Sequence, residues 1–356
     1  MKTSISKHIV LFIPFFVLFF ACKKDKKIVP PDVYVGGTYT LKDGVNTSAC
    51  YWKNGEFFPV KDSTKSSNAY DMKVLNGSVY LVGQYNDQPC YWKDGVLNYL
   101  PNPNGFVFKP GSKATAMALF RGAGLNDITL IPTFIGQISY ANHLNFIATI
   151  WQPEGGDVQA KYNPYTISDV SFNYQLAGMF VAPNTQLYIV GDHTSAKPGY
   201  WLAEYPPLNL NYQITWHNLD NASGFTYGLD LVKNDVYILG NIQNQDVFWK
   251  NGQLQNFAYL AGQNFSINKF RVNANGTIFL AGDDNSGATS KACVFANGIK
   301  TILSTDPSNA TNLTFYNNDV YVSGILGDKA CYWQGNTLVD LKRPKSAAKF
   351  IEIVSK

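Results

Sequence analysis

The sequence predicts an all-β fold of repeated four-stranded antiparallel sheets closed into a ring. Three observations carry it: a composition poor in charge and rich in aromatics, one phrase that recurs along the chain, and a tail that offers the strand missing from the first unit. Charged residues make up 15% of the 356 and aromatics another 15%, against roughly a quarter charged in an average soluble domain. Aromatic and β-branched side chains suit a pleated, half-buried surface, so the balance favours strands and tight turns over exposed helices. A chain of this length would hold two or three average domains, but ring-shaped repeat folds use it as one.

The phrase is apolar, Tyr or Phe, apolar, small, Gly. It reads Val33-Tyr34-Val35-Gly36-Gly37, Val79-Tyr80-Leu81-Val82-Gly83, Leu187-Tyr188-Ile189-Val190-Gly191, Val236-Tyr237-Ile238-Leu239-Gly240, Ile278-Phe279-Leu280-Ala281-Gly282 and Val320-Tyr321-Val322-Ser323-Gly324. After the closing glycine, at 15, 9, 10, 9, 13 and 9 residues, comes an aromatic: Trp52, Trp92, Trp201, Trp249, Phe295 and Trp333. Several copies run on into a turn, as in Trp52-Lys53-Asn54-Gly55, Trp92-Lys93-Asp94-Gly95 and Trp249-Lys250-Asn251-Gly252. Asn-Gly and Asp-Gly are the strongest short hairpin signals because both residues tolerate positive φ. Another turn precedes the phrase, at Asn76-Gly77, Asn234-Asp235, Asn275-Gly276 or Asn318-Asp319, after a further apolar stretch. A unit is therefore four strands.

The interval from Gly83 to Gly191 is 108 residues, about twice the usual spacing, and residues 128–136 followed by Ile147-Ala148-Thr149-Ile150-Trp151 fill it with a degenerate copy and a long insertion. Seven units result, at about 47 residues each between Trp52 and Trp333, in the range of propeller blades; six and eight are the neighbouring counts.

Both alternating faces of Val79-Tyr80-Leu81-Val82 are apolar, so each sheet must be covered on both sides, whereas a half-solvated antiparallel sheet alternates apolar with polar. Similar sheets stacked radially cover one another, which makes a β-propeller. The chain enters this scheme at the second strand of a unit, and Phe350-Ile351-Glu352-Ile353-Val354 offers the missing first strand. Pairing of the N- and C-terminal strands would then close the ring and remove an exposed edge. Over residues 33–356 the chain resembles the broad group of repeat propellers, in particular an uncharacterised secreted group bearing Tyr-Trp-Lys-Asn-Gly repeats. The resemblance implies architecture alone: WD dipeptides, kelch double glycines and sialidase-type aspartate boxes do not recur, and no functional residue carries over.

The first segment reads as an address. Lys2 and Lys7 precede an apolar run over residues 9–20, too short to span a bilayer and of signal-peptide length. The run ends in Leu18-Phe19-Phe20-Ala21-Cys22, which resembles bacterial type II signal peptides, where a small residue stands immediately before the cysteine. The resemblance implies that residues 1–21 are a signal peptide and that Cys22 is acylated, with chains of the palmitate class, as the mature N-terminus. Residues 22–32, with four lysines and Pro30-Pro31, read as an extended lipidated tether, and residues 33–356 as the propeller. Residues 1–27 carry six lysines against Asp25, so the +4 of the whole chain leaves about −1 for the remainder. Such a body lacks the basic stripe that nucleic-acid binding requires.

Little in the propeller region points to chemistry. Cys50, Cys90, Cys293 and Cys331 each stand two residues before the repeat aromatic. They therefore occupy equivalent places in blades six, seven, one and two, too far apart for bridges, and are expected as buried free thiols. His143, His193 and His217 show no metal-ligand spacing. Asp192-His193 follows a repeat glycine and aligns with Gln84, Asn241 and Asp283 at what reads as a hairpin loop. Asp283-Asp284-Asn285-Ser286-Gly287 lacks the acidic ligands of a calcium loop and also reads as a loop. No cofactor is expected. Most aromatics belong to the repeat and to packing between blades, but Phe106, Phe108, Tyr162, Tyr165, Tyr205, Tyr212 and Trp216 fall outside the phrases, in what read as connections. Loops on a rigid scaffold are where binding resides, so Phe106, Phe108, Asp192, His193 and Trp216 are the candidate binding residues. They belong to a rim with long connections at residues 85–89, 101–112 and 206–212, opposite a rim of short Asn-Gly turns.

The functional expectation is a lipid-anchored, extracytoplasmic binding module of the cell envelope, at the outer membrane or cell surface rather than the inner membrane, with a protein, peptide or glycan ligand. The alternatives are an enzyme acting on extracellular polymers at the mouth of the channel, which clustered carboxylates there would favour, and a structural envelope protein.

Overall fold

A computed structural model describes residues 29–61, 65–102, 108–121, 130–139, 146–153, 162–172, 176–181, 186–191, 197–204, 213–255 and 264–356. These form seven four-stranded antiparallel sheets. Blade I is β28 (Ser346–Val354), β1 (Asp32–Thr40), β2 (Thr47–Lys53) and β3 (Glu56–Pro59); blade II is β4 (Ser67–Leu75), β5 (Ser78–Tyr85), β6 (Gln88–Lys93) and β7 (Val96–Tyr99). Blade III is β8 (Lys113–Arg121), β9 (Leu130–Ile138), β10 (Phe146–Pro153) and β11 (Tyr162–Phe172); blade IV is β12 (Leu176–Val181), β13 (Leu187–Gly191), β14 (Gly199–Glu204) and β15 (Gln213–Asn218). Blade V is β16 (Gly224–Val232), β17 (Asp235–Ile242), β18 (Gln245–Lys250) and β19 (Gln253–Gln255); blade VI is β20 (Phe265–Val272), β21 (Ile278–Asp284), β22 (Lys291–Ala296) and β23 (Ile299–Ile302). Blade VII is β24 (Ser308–Tyr316), β25 (Asp319–Leu326), β26 (Lys329–Gln334) and β27 (Thr337–Pro344). The first strands touch one another in order around the ring, β28 against β4 included, so the architecture is a seven-bladed propeller. The degenerate copy falls where expected, with Trp151 buried on β10.

Closure is by strand pairing. β28 lies antiparallel to β1, from Asp32 opposite Val354 to Tyr39 opposite Ser346. The double-sided apolar phrase is explained by the packing: Val79 and Leu81 face a cluster with Tyr34, Ala49 and Tyr51 of blade I, while Tyr80 and Val82 face Ala114, Met117 and Phe134 of blade III. Each repeat tryptophan covers the preceding blade. Trp333 packs on Ala281, Ala292 and Val294 of blade VI, and Trp52 on Tyr321 and Ala330 of blade VII.

The closing glycine of the phrase is set by a bulge. Every first strand carries an extra residue against its neighbour: Tyr70, Thr115, Ala177, Tyr227, Asn268, Thr311 and Lys349 fall at the register shifts. A bulge bends its strand and disrupts the local ladder. A Cβ on Gly83 would run into the carbonyl oxygen of Asn68, two residues before the bulge, and one on Gly324 into that of Asn309. The indole rings of Trp92 and Trp333 close over the same two glycines.

Two local expectations are corrected. The turns read at Asn234-Asp235 and Asn318-Asp319 sit one residue earlier, at Lys233-Asn234 and Asn317-Asn318, because each aspartate begins the second strand. In blade V the reason is visible: Asp235 accepts a hydrogen bond from Asn251 Nδ2 at 2.7 Å and pairs with Lys250 at 2.8 Å, while Asn251 Oδ1 accepts from Val236 N at 2.8 Å. The Trp-Lys-Asn-Gly phrase is thus a clasp between two hairpins. Residues 85–89 are not a long connection either; β5 and β6 are joined by Asn86-Asp87, both at positive φ, a two-residue hairpin turn.

The four propeller cysteines are free and buried. Each pairs across the ladder with a repeat glycine, as Cys90 does with Gly83 and Cys331 with Gly324, so the place demands a small apolar side chain. Burial pushes the Cys293 and Cys331 thiols up to about 12, and it raises Cys50 and Cys90 as well. Thiolate is the reactive form. Ellman's reagent is therefore expected to leave all four unmodified in the folded protein at pH 8 and to titrate them in guanidinium; rapid native reaction at any of them would contradict the packing.

Candidate functional site in the central channel

The first strands belong to seven separate sheets, so a backbone N–H that points from one toward the next has no ladder partner and must find another. Side chains provide one. Asp71 Oδ2 accepts from Met117 N at 2.9 Å, Asp230 Oδ2 from Val272 N at 2.7 Å, and Glu352 Oε2 from Val74 N at 2.7 Å. Bulge residues do the same for carbonyls: Asn268 Nδ2 donates to Ala310 O at 2.9 Å and Thr311 Oγ1 to Ala348 O at 2.6 Å. At the start of the strands a serine recurs, with Ala49 N, Ala292 N and Ala330 N donating to Ser67, Ser308 and Ser346 Oγ at 2.9, 2.9 and 3.0 Å. A polar seam therefore runs around the channel wall.

Inside that wall lies a cavity of about 390 Å³, bounded by β4, β8, β16, β20, β24 and β28. Its charged lining comes from blades II and VI, which place Asp71 and Lys73, and Lys269 and Arg271, one and three residues after their bulges. The alternate residues Met72, Phe270 and Val272 are buried in the blade cores. Lys73 Nζ pairs with Glu352 at 2.6 Å and Arg271 Nη1 with Asp230 at 3.2 Å. Burial works against the charge on Lys73, but Glu352 and Asp71 outweigh it and hold its pKa above the usual lysine value. For Lys269 burial prevails. Aided by Arg271 and Lys73, and opposed by Asp71 and Asp230, it brings the ammonium down to about 8.

The structure disperses the residues singled out from the sequence. Phe106, Asp192, His193, Tyr205, Tyr212 and Cys22 lie outside the described residues. Phe108 is half-buried against the cluster around Leu100, Met117 and Phe134, so it packs between blades II and III. Trp216 is not in a connection: it sits on β15, its ring centroid 4.5 Å from that of Trp201. Tyr162 and Tyr165 likewise belong to β11, where Tyr162 is buried. The positions aligned with Asp192 are not loops, since Gln84, Asn241 and Asp283 all lie within strands. Asp283 accepts from Ala310 N and Asn268 Nδ2, and Asp284 pairs with Lys300 at 3.0 Å. These two acids serve the fold. Among the described residues no three His, Cys, Asp or Glu side chains converge as a metal set.

Sequence reading missed the channel charges. Their signal is the alternation of charged and core residues in Asp71-Met72-Lys73-Val74 and Lys269-Phe270-Arg271-Val272, where an apolar strand would be expected on both faces.

No family model and no curated protein sequence matches the chain. Solved structures resemble it in overall fold. They include YCF48 bound to a D1 peptide, with 12% identity over 82% of this chain and 93% of that one and a TM-score of 0.48. An oligogalacturonate lyase in complex with manganese matches at 8% identity over 88% and 84%, TM-score 0.48. A polysaccharide lyase, an ulvan lyase, matches at 9% identity over 78% and 83%, TM-score 0.45. No functional residue transfers from any of them.

Proposed function

We propose that the protein is a lipid-anchored binding module of the cell envelope that seats its ligand in the central channel. The observation that carries this reading is the cavity itself: a closed ring of sheets surrounds about 390 Å³ of space walled by charged side chains, a volume in the range of small-molecule sites. The carboxylates there already accept hydrogen bonds from backbone or from cations, so they are poorly placed as free acids or bases. That favours binding over hydrolysis.

The anchor fits this arrangement. β1 begins at the rim of the short turns, where Asp32 stands beside Val354 and pairs with Lys356 at 3.0 Å. A tether of eleven residues from Cys22 to Asp32 reaches at most about 35 Å when extended. Acylation of Cys22 would hold the turn rim toward a membrane and present the rim of connections outward.

The test has two arms on the full chain in detergent. Metabolic labelling with an alkynyl fatty acid is expected to mark the wild type and to be lost in Cys22→Ala; labelling that persists would refute the anchor. A thermal-shift screen of small acids, sugars and peptides is expected to give stabilising ligands whose effect disappears in Asn312→Trp, which fills the channel. Ligands unaffected by that substitution would place binding elsewhere.

A further inference from the structure

Donors and acceptors in the channel do not balance. Asp71 accepts from Met72 N and Met117 N, both at 2.9 Å. Glu352 accepts from Lys73 and Val74 N, at 2.6 and 2.7 Å. Asp230 accepts from Leu231 N, Val272 N and Arg271 Nη1, at 3.0, 2.7 and 3.2 Å. Every carboxylate oxygen in the wall is therefore occupied. On the donor side, Arg271 Nε is buried with no partner, and Lys269 makes no ion pair with any described residue. A buried donor left unmade is costly, and an ammonium at the channel wall with no ion-pair partner adds to that cost.

We propose that the channel seats a small organic carboxylate, held by Lys269 and Arg271, both of which line the cavity. This rests on the reading of the channel as the ligand seat. A purely accepting group complements unfilled donors, and an anion is what a lysine and an arginine bind with short, charge-assisted bonds. The charge count disfavours a second negative charge. Lys73, Lys269 and Arg271 balance Asp71, Asp230 and Glu352, so a carboxylate leaves the cavity singly negative and hydrogen phosphate, the dianion, would leave it doubly so. Its volume, about 390 Å³, suits a molecule of sugar-acid or acyl-amino-acid size rather than an enclosed polymer segment.

Affinity should follow the protonation of Lys269. The charged groups bearing on it are Arg271 of its own strand, Asp71 and Lys73 of β4, and Asp230 of β16. With its pKa down at about 8, the ammonium is present at pH 7 and lost by pH 9, so carboxylate binding weakens over that interval. A bound anion favours the charged form and moves the midpoint upward.

Calorimetric titration of the full chain in detergent tests this with galacturonate and N-acetylglycine against their neutral counterparts, galactose and N-acetylglycinamide, and against inorganic phosphate. At least one carboxylate is expected to bind at pH 7 while its neutral counterpart and phosphate do not. Lys269→Met should lose about ten-fold or more in affinity, and Lys269→Arg should bind with no decline between pH 7 and 9. Lys269→Met should melt no lower than the wild type at pH 7, since it removes a charge that burial disfavours, so lost binding there is not lost folding. Equal binding by Lys269→Met, preference for a neutral probe or for phosphate, or no carboxylate binding would each overturn the proposal. A neutral probe that binds the wild type but not Asn312→Trp would overturn it and leave the channel reading standing; carboxylate binding that survives Asn312→Trp would sink both.

Discussion

Ending the chain at Pro344 is expected to leave a protein with no cooperative thermal transition. The missing residues contain β28, whose loss strips β1 of its ladder partner from Asp32 to Tyr39. It also removes Ala348 and Ile351, which are buried against blade VII, and Phe350, which packs against blade II. Ser346 no longer receives Ala330 N, and Val74 N loses Glu352. Each buried aliphatic or aromatic side chain is worth about 1.5–3 kcal/mol, and whole domains are stable by only about 5–15 kcal/mol. Deleting several at once, while exposing a strand edge and two sheet faces, exhausts that margin. Circular dichroism melts and dye binding check it. A truncated chain that unfolds sharply within a few degrees of the wild type would show that blades I to VII hold together without the terminal pairing.

Trp333→Ala is expected to cost about 3–5 kcal/mol, the range for deleting a large core aromatic. Trp333 is wholly buried, and it fills the space between blade VII and the small residues Ala281 and Ala292 of blade VI. Its indole N–H has no acceptor. Trp333→Phe gives up area but also removes that unsatisfied donor, whose burial is itself unfavourable by about 1–3 kcal/mol, so it should cost far less than the alanine variant. Trp151 makes the contrast: its Nε1 donates to Pro101 O at 2.7 Å, and Trp151→Phe orphans that carbonyl. Urea denaturation midpoints of the three variants test the order. If Trp151→Phe proves milder than Trp333→Phe, the indole N–H assignments are wrong.

The propeller was legible because its determinants are periodic. The glycine that must clear the bulge, the tryptophan that covers it and the cysteine or other small residue opposite recur at nearly fixed spacing, so one blade teaches the next. The strand supplied by the tail was legible for the same reason, since a unit lacking its first strand leaves a defined vacancy. What escaped was whatever breaks the period. The charges of the channel occur in only some blades: position 73 is lysine in blade II, but its counterpart in blade VII is Thr314. Their partners come from the next blade, as with Glu352 and Lys73, which are 279 residues apart in sequence. Trp216 was read as a connection because blade IV departs from the phrase; its pairing with Trp201 depends on the register of β14 and β15, which spacing alone did not give.

Because Asp32 and Val354 sit opposite each other in one ladder, the backbone has a seam but the architecture has no first blade. A short linker from Val354 to Asp32 would let new ends be opened at a tight turn such as Asn76-Gly77 without unpairing any strand. Such a circular permutant would keep all seven sheets and carry its ends on blade II. A lipid attached there would tilt the molecule by one blade step relative to the membrane, which makes orientation a property that can be rewritten separately from the fold.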